Sequence, residues 1–226
     1  MKFRIYSFII TAIFPFAINA QVNKSVWQTI QLPVKMSKKI TWHNDAGYRT
    51  LDYSFSARQV LYRTGLRYHF TTQTDAAAGF ALFYTRTSDV RQNHEFGQEA
   101  RMWQEVVHQQ SLLKNTSLLL RLRTEQRFFK ETSIQKAFHA FRFRYRVNFQ
   151  QQLHEKWILQ LGYEHMHQLL KKKLEFHQLR IQPSILYKLN EKIQVQAMYM
   201  YMKSPNENLH VLWMTYILKI ENASRN

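Results

Sequence analysis

Between Phe96 and Gln182 charged residues recur at every second position, with apolar or aromatic residues between them. Leu120-Arg121-Leu122-Arg123-Thr124-Glu125-Gln126-Arg127-Phe128 has this form, and Phe141-Arg142-Phe143-Arg144-Tyr145-Arg146-Val147-Asn148-Phe149 has it more starkly. A period of two is the side-chain period of a β-strand, so one sheet face is rich in arginine and the other is apolar. A water-soluble sheet buries its apolar face against a second layer, and its strands are usually about five or six residues long. Here the alternation runs to twelve residues or more. Long strands with a greasy outside and a polar inside are the pattern of a transmembrane β-barrel.

The chain ends agree with export to such a setting. Lys2 and Arg4 precede an apolar stretch from Ile5 to Ile18, and Asn19-Ala20 before Gln21 reads as a cleavage point, so residues 1–20 are expected to be a signal peptide. No later stretch approaches eighteen consecutive apolar residues, so membrane crossing falls to strands. The 206 residues that remain (226 less 20) form one expected domain, 21–226. There is no cysteine, hence no disulfide, thiolate metal site or cysteine nucleophile. Aromatic residues make up 15% of the chain, which suits the girdles flanking a lipid-facing band. The net charge of +17 often signals nucleic acid. These arginines alternate along strands instead of clustering, and the chain is exported, so nucleic acid is not expected as a partner.

Turn-like breaks divide the chain after residue 20 into eleven candidate strands, beginning at Ser25–Met36 and ending at Leu209–Ile220. Bacterial single-chain barrels have an even number. The expectation is therefore an all-β, antiparallel, up-and-down transmembrane barrel of ten to twelve strands. Twelve is favoured, with an extra strand hidden between Tyr48 and Ser56. Both termini are placed in the periplasm. The stretches 44–56, 87–93, 130–135, 169–173 and 204–208 then become outer loops carrying Lys130, Lys171, Lys172 and Lys173. The expected surroundings are outer-membrane lipids and lipopolysaccharide, whose phosphates the loop lysines could meet, and the barrel-assembly machinery during insertion.

Parity sorts the side chains. Val60, Tyr62, Leu66, Tyr68, Phe80, Leu122, Phe143, Tyr145, Leu161 and Ile181 belong to the outer set. The inner set holds Arg63, Arg67, Glu99, Arg101, Glu105, Arg121, Arg123, Glu125, Arg127, Arg142, Arg144, Arg146, Glu164 and Arg180. An Arg on the lipid face at the midplane costs about 2–4 kcal/mol, so turning Arg142, Arg144 and Arg146 outward together would cost about 6–12 kcal/mol. That penalty forces the parity. Met198, Met200 and Met202 also fall inward, and Trp213 blurs the last strand.

Two readings of the inner charges stay open. In one, bidentate Arg–carboxylate pairs fill and stiffen a narrow lumen. In the other, the surplus of Arg selects an anionic solute in a small channel, as Arg and Lys rings do in anion pores. An outer-membrane lipid-modifying enzyme has weaker support. His94, His108, His139, His154, His165, His167, His177 and His210 scatter without metal-ligand spacing, and no serine stands in a Gly-x-Ser-x-Gly context. No catalytic residue, metal or cofactor is expected. A soluble β-sandwich is the non-membrane alternative.

Glu99, Arg101, Trp103 and Gln104, then Arg123, Glu125, Arg127 and Phe128, then Gln178 and Arg180, form a series of strand motifs. With Trp27, Trp42 and the Arg58–Tyr68 strand before them, they resemble a family of Bacteroidetes-type outer-membrane β-barrel proteins, domain-of-unknown-function family 2490. The resemblance covers most of the chain. It implies an outer-membrane barrel and no assigned activity.

Overall fold

A computed structural model describes residues 23–53, 56–87 and 95–221. The expected signal peptide, His94 and most of the 87–93 loop lie outside those residues. The described chain is all β. Its strands are β1 (Asn23–Gln31), β2 (Val34–Lys35), β3 (Ile40–Thr50), β4 (Ala57–His69), β5 (Thr74–Arg86) and β6 (Phe96–Leu113). They continue as β7 (Thr116–Phe129), β8 (Phe138–His154), β9 (Trp157–Leu170), β10 (Lys173–Lys188), β11 (Ile193–Lys203), β12 (Asn208–Leu218) and β13 (Ile220–Glu221). From β3 to β12 each strand pairs with its sequence neighbours, β1 pairs with both β3 and β12, and β2 pairs with β3 and β13, so the sheet closes.

Thirteen segments make eleven crossings among the described residues. The short β2 prolongs β1 past Leu32-Pro33, and β13 prolongs β12 past Lys219. Proline has no N–H to give a ladder, which is why β1 breaks there. The gap is still bridged, because Leu32 N donates to Asn44 O at 2.7 Å and Ile220 N donates to Pro33 O at 2.9 Å. The favoured count of twelve is thus corrected. The stretch after Tyr48 only completes β3, and the chain then turns.

An odd count has a geometric consequence. Strands in a meander alternate in direction, so the first and last of eleven run the same way and must meet in parallel. They do, from Asn23 beside Leu209 to Gln31 beside Ile217, while every other long pair is antiparallel. Both termini, expected on one side, lie outside the described residues, but the described ends, Asn23 and Glu221, fall at opposite ends of the barrel. Asn23 lies at the end where β3, β5, β7, β9 and β11 finish, and Glu221 lies at the opposite end.

Side-chain faces follow the alternation. Leu122, Tyr145, Leu161, Phe80 and Ile181 are exposed on the outer wall, whereas Trp103, Phe83, Leu61 and Met200 are buried inside. In β10 the parity changes at a bulge between Phe176 and Gln178, which lets Phe176 and Leu179 both face outward. Several outward polar groups are paired across strands. Thr124 Oγ1 donates to Gln104 Oε1 (2.9 Å), and Tyr62 Oη and Thr64 Oγ1 donate to Asn44 Oδ1 (3.0 and 2.9 Å).

Inside, β4 and β5 set Gly65 directly opposite Gly79. A Cβ on Gly65 would stand 2.5 Å from the Trp103 ring and from the Ala78 carbonyl oxygen. These two glycines are the slot into which Trp103 lies. A second apolar cluster, Trp27, Met198, Met200, Met202, Leu209 and Val211, lines the parallel seam. Trp213 also turns inward there, edge-on to Trp27 at 5.3 Å, with Nε1 donating to Thr29 Oγ1 at 3.0 Å.

Candidate functional site: an arginine–carboxylate lattice in the lumen

An eight-stranded barrel is just filled by its own side chains, and sixteen strands leave a water channel. Eleven strands leave a bore that short apolar side chains would not close. Arginine is long enough to reach two strands away, and carboxylates give it something to hold. The strands place Arg63 and Arg67 (β4), Glu99, Arg101 and Glu105 (β6), and Arg121, Arg123, Glu125 and Arg127 (β7) on the inner wall. Arg142, Arg144 and Arg146 (β8), Glu164 (β9) and Arg180 (β10) complete it. All fourteen residues singled out by parity face the lumen, and most are buried.

Each glutamate is shared. Glu99 is gripped by two forks: Arg101 donates Nε and Nη2 (2.5 and 2.8 Å), and Arg127 donates Nε and Nη2 (2.6 and 3.2 Å). Glu105 takes Arg67 Nη2 at 2.6 Å and Arg123 Nη1 at 3.2 Å, with Arg121 Nη1 at 3.9 Å. Glu125 accepts from Arg142 and from Arg144 Nη1 (2.8 Å), and the guanidiniums of Arg123 and Arg101 lie 3.0 and 3.6 Å away. Glu164 accepts from Arg121 Nη2 (2.5 Å) and Arg144 Nη2 (2.8 Å), with Arg180 at 3.7 Å. The Arg121–Glu164 contact spans from β7 over β8 to β9. Arg127 makes the same reach to Gln168 Oε1 at 2.7 Å.

Aromatic rings hold the guanidinium planes. Arg101 lies over Phe83 at 3.5 Å, Arg123 over Trp103 at 4.4 Å and Arg49 over Trp27 at 3.7 Å. Beyond the charges, the inner wall of β9 to β11 turns neutral. Gln196 donates to Gln160 Oε1 (2.7 Å) and Ser184 Oγ (3.0 Å) there, and Gln182 to Met200 Sδ (3.3 Å).

Sequence reasoning missed part of the lattice. Arg49 and Asp45 on β3, and Asp75 on β5, also face inward; Arg63 donates to Asp45 at 2.9 Å, and Arg67 reaches Asp75 at 3.4 Å. The strand β3 carries polar residues on both faces (His43, Asn44, Asp45), so it lacks the contrast that parity needs. His177, at the β10 bulge, meets Arg142 Nη1 at 3.3 Å, and no pattern could have placed it inside. His165 and His167 sit on the outer wall, 4.7 Å apart, among the rings of Phe176 and Tyr145.

Among the described residues, the inner wall therefore holds eleven guanidiniums, the ten arginines singled out by parity plus Arg49, against six carboxylates (Asp45, Asp75, Glu99, Glu105, Glu125 and Glu164). Among the described residues Arg146 makes no ion pair, and its Nε is buried without an acceptor.

Residues 24–210, which hold the lattice and the barrel as far as the start of β12, match the family model "Protein of unknown function (DUF2490)". The chain belongs to the DUF2490 family. Its lattice motifs on β6, β7 and β10 lie inside the matched span. No curated protein matches the chain. Among solved structures, OmpT (in-vitro folded), an outer membrane protein of Vibrio cholerae, matches with a TM-score of 0.42 at 14% identity. The match covers 75% of this chain and 52% of that one, so the chain spans about half the length of that structure.

Proposed function

We propose that this DUF2490 protein is an integral outer-membrane barrel whose lumen is plugged by its own arginine–carboxylate lattice, and that it acts as a structural or interaction barrel. The sharing of every lumenal glutamate between at least two arginines carries this reading. Each contact closes the bore between strands, so opening a path would break several charge-assisted bonds together. The exposed apolar outer wall and the paired outward polar groups support a hydrocarbon environment.

Planar-bilayer recording of the refolded protein tests the plug. The expected result is no unitary conductance; stable unitary steps would overturn it. A second reading, a narrow anion-favouring path, draws on the excess of arginine over carboxylate. It predicts steps with anion selectivity that reverses in Arg142→Glu plus Arg144→Glu. Membrane insertion is tested separately by heat-modifiable gel mobility and by spin labels at 143 and 145, which are expected to meet lipid oxygen. Water contact at both would remove the membrane placement.

The phosphates of lipopolysaccharide are the proposed surface partner. Lys171 and Lys172 form the two-residue β9–β10 turn with φ of 48° and 67°, a left-handed geometry that hairpins normally assign to Asn-Gly. Two lysines there cost roughly 1–2 kcal/mol each. The strain sets two ammonium groups at the rim, beside Lys173 and above the His167–Phe176 aromatic patch. Lys171→Asn plus Lys172→Gly is expected to lower lipopolysaccharide retained on purification while leaving the barrel folded. Unchanged retention would count against this partner.

A further inference from the structure

The lattice leaves a charge imbalance that its own carboxylates do not cancel. Buried unpaired charge costs several kcal/mol per group. Arg146 stands beside Arg121 in the β7–β8 register with no acceptor, and Arg49 has only Gln59 Oε1 (2.6 Å) and the Trp27 ring. An excess of guanidinium over carboxylate favours a further anion in the lumen.

A cavity of about 120 Å³ lies where it could do so. Four guanidiniums line it: Arg63, Arg67, Arg121 and Arg123. Only two carboxylates, Asp45 and Glu105, share that wall, and both are already engaged by those arginines. The Nε–H groups of Arg67, Arg121 and Arg123 are buried and have no hydrogen-bond acceptor; that of Arg123 passes 3.0 Å from Glu125 without being aimed at it. Three orphaned donors on three adjacent arginines mark a wall short of acceptors. A water takes about 30 Å³ of liquid, so the space holds a tetrahedral oxyanion with a water or two. Guanidinium forks match oxyanion edges bidentately and do not match a spherical halide in that way.

We infer that this lumenal cavity is a binding site for a small inorganic oxyanion, phosphate or sulfate, that completes the charge balance of the lattice. The site goes beyond the plug and does not depend on it being leak-free. Conductance reports on the plug and binding reports on the site, so the two fail independently.

The full chain, refolded in detergent, is titrated with sodium phosphate, sodium sulfate or sodium chloride at constant ionic strength. Thermal unfolding and calorimetric binding are followed. A saturable rise in unfolding temperature with phosphate or sulfate, absent with chloride, is expected. Arg121→Gln should weaken the apparent affinity at least tenfold. Gln31→Glu, which sets a carboxylate on the cavity wall without removing an arginine, should abolish it and keeps the test decisive if Arg121→Gln does not fold. Arg58→Gln, at a rim pair with Glu207, should leave binding unchanged. No saturable response, an equal response to chloride, or unaltered affinity in Gln31→Glu would overturn the site.

Discussion

At the residue scale, the carboxylate of Glu125 lies within ion-pairing reach of Arg101, Arg123, Arg142 and Arg144, so neutralising it strands four cations at once. Removing one partner of a buried pair generally costs about 3–5 kcal/mol. Glu125→Gln is therefore expected to lower unfolding stability by at least that range, read as a shifted urea midpoint in detergent. Equal stability would mean that water already solvates these guanidiniums. Gly79 supplies the opposite kind of test. A Cβ there would collide with the Thr64 carbonyl oxygen and meet Trp103 at 2.8 Å. Gly79→Ala is expected to cost about 1–3 kcal/mol, seen as loss of heat-modifiable mobility at a lower temperature. Most of the lattice was legible in the alternation, because Arg next to Phe or Leu leaves one orientation affordable in a membrane. Arg49, Asp45 and His177 were not, since polar neighbours on β3 and a bulge in β10 erase the contrast.

At the scale of elements, strand limits followed turn chemistry closely, and the last strand, expected at Leu209–Ile220, is β12 at Asn208–Leu218. Direction was less legible than position. Parity assigns a face to each residue but says nothing of how the first strand meets the last, so an even-number rule pulled the count from eleven to twelve. Loops show a smaller effect. Glu95, before β6, accepts from Ser133 N at 3.0 Å and from the Ser133 hydroxyl, tying the β7–β8 connection down. Those bonds, the side-chain one first, hold the Glu95 carboxyl below its ordinary 4.5. A depressed carboxylate contributes its tie above the ordinary value and loses it as pH falls through the lowered one. Protection of the Ser133 amide from exchange, relative to its intrinsic rate, should therefore fall on acidification below that value in the wild type. In Glu95→Gln it should lack that step; an identical profile in both would dismiss the tie.

Across the whole molecule, the parallel closure dictates sidedness. The start of β1 at Asn23 and the Lys171-Lys172 turn share one end, and Glu221 lies at the other. A cysteine at position 23 and one at position 172 are expected to react with the same membrane-impermeant maleimide on intact cells, while one at 221 should stay protected. Labelling of 221 but not 23 would reverse the orientation. Equal labelling of 23 and 221 would break the eleven-strand closure itself.

In an even-stranded barrel the two chain ends emerge side by side, and a few residues of linker allow the polypeptide to be cut and rejoined elsewhere. Here the seam holds Asn23 and Glu221 at opposite ends of the barrel, about 25 Å apart on the usual height of an apolar band. Any covalent bridge between them would have to thread a bore already packed with guanidinium groups or cross lipid as bare backbone. Circular permutants, tolerated by many folds, should be inaccessible to this one.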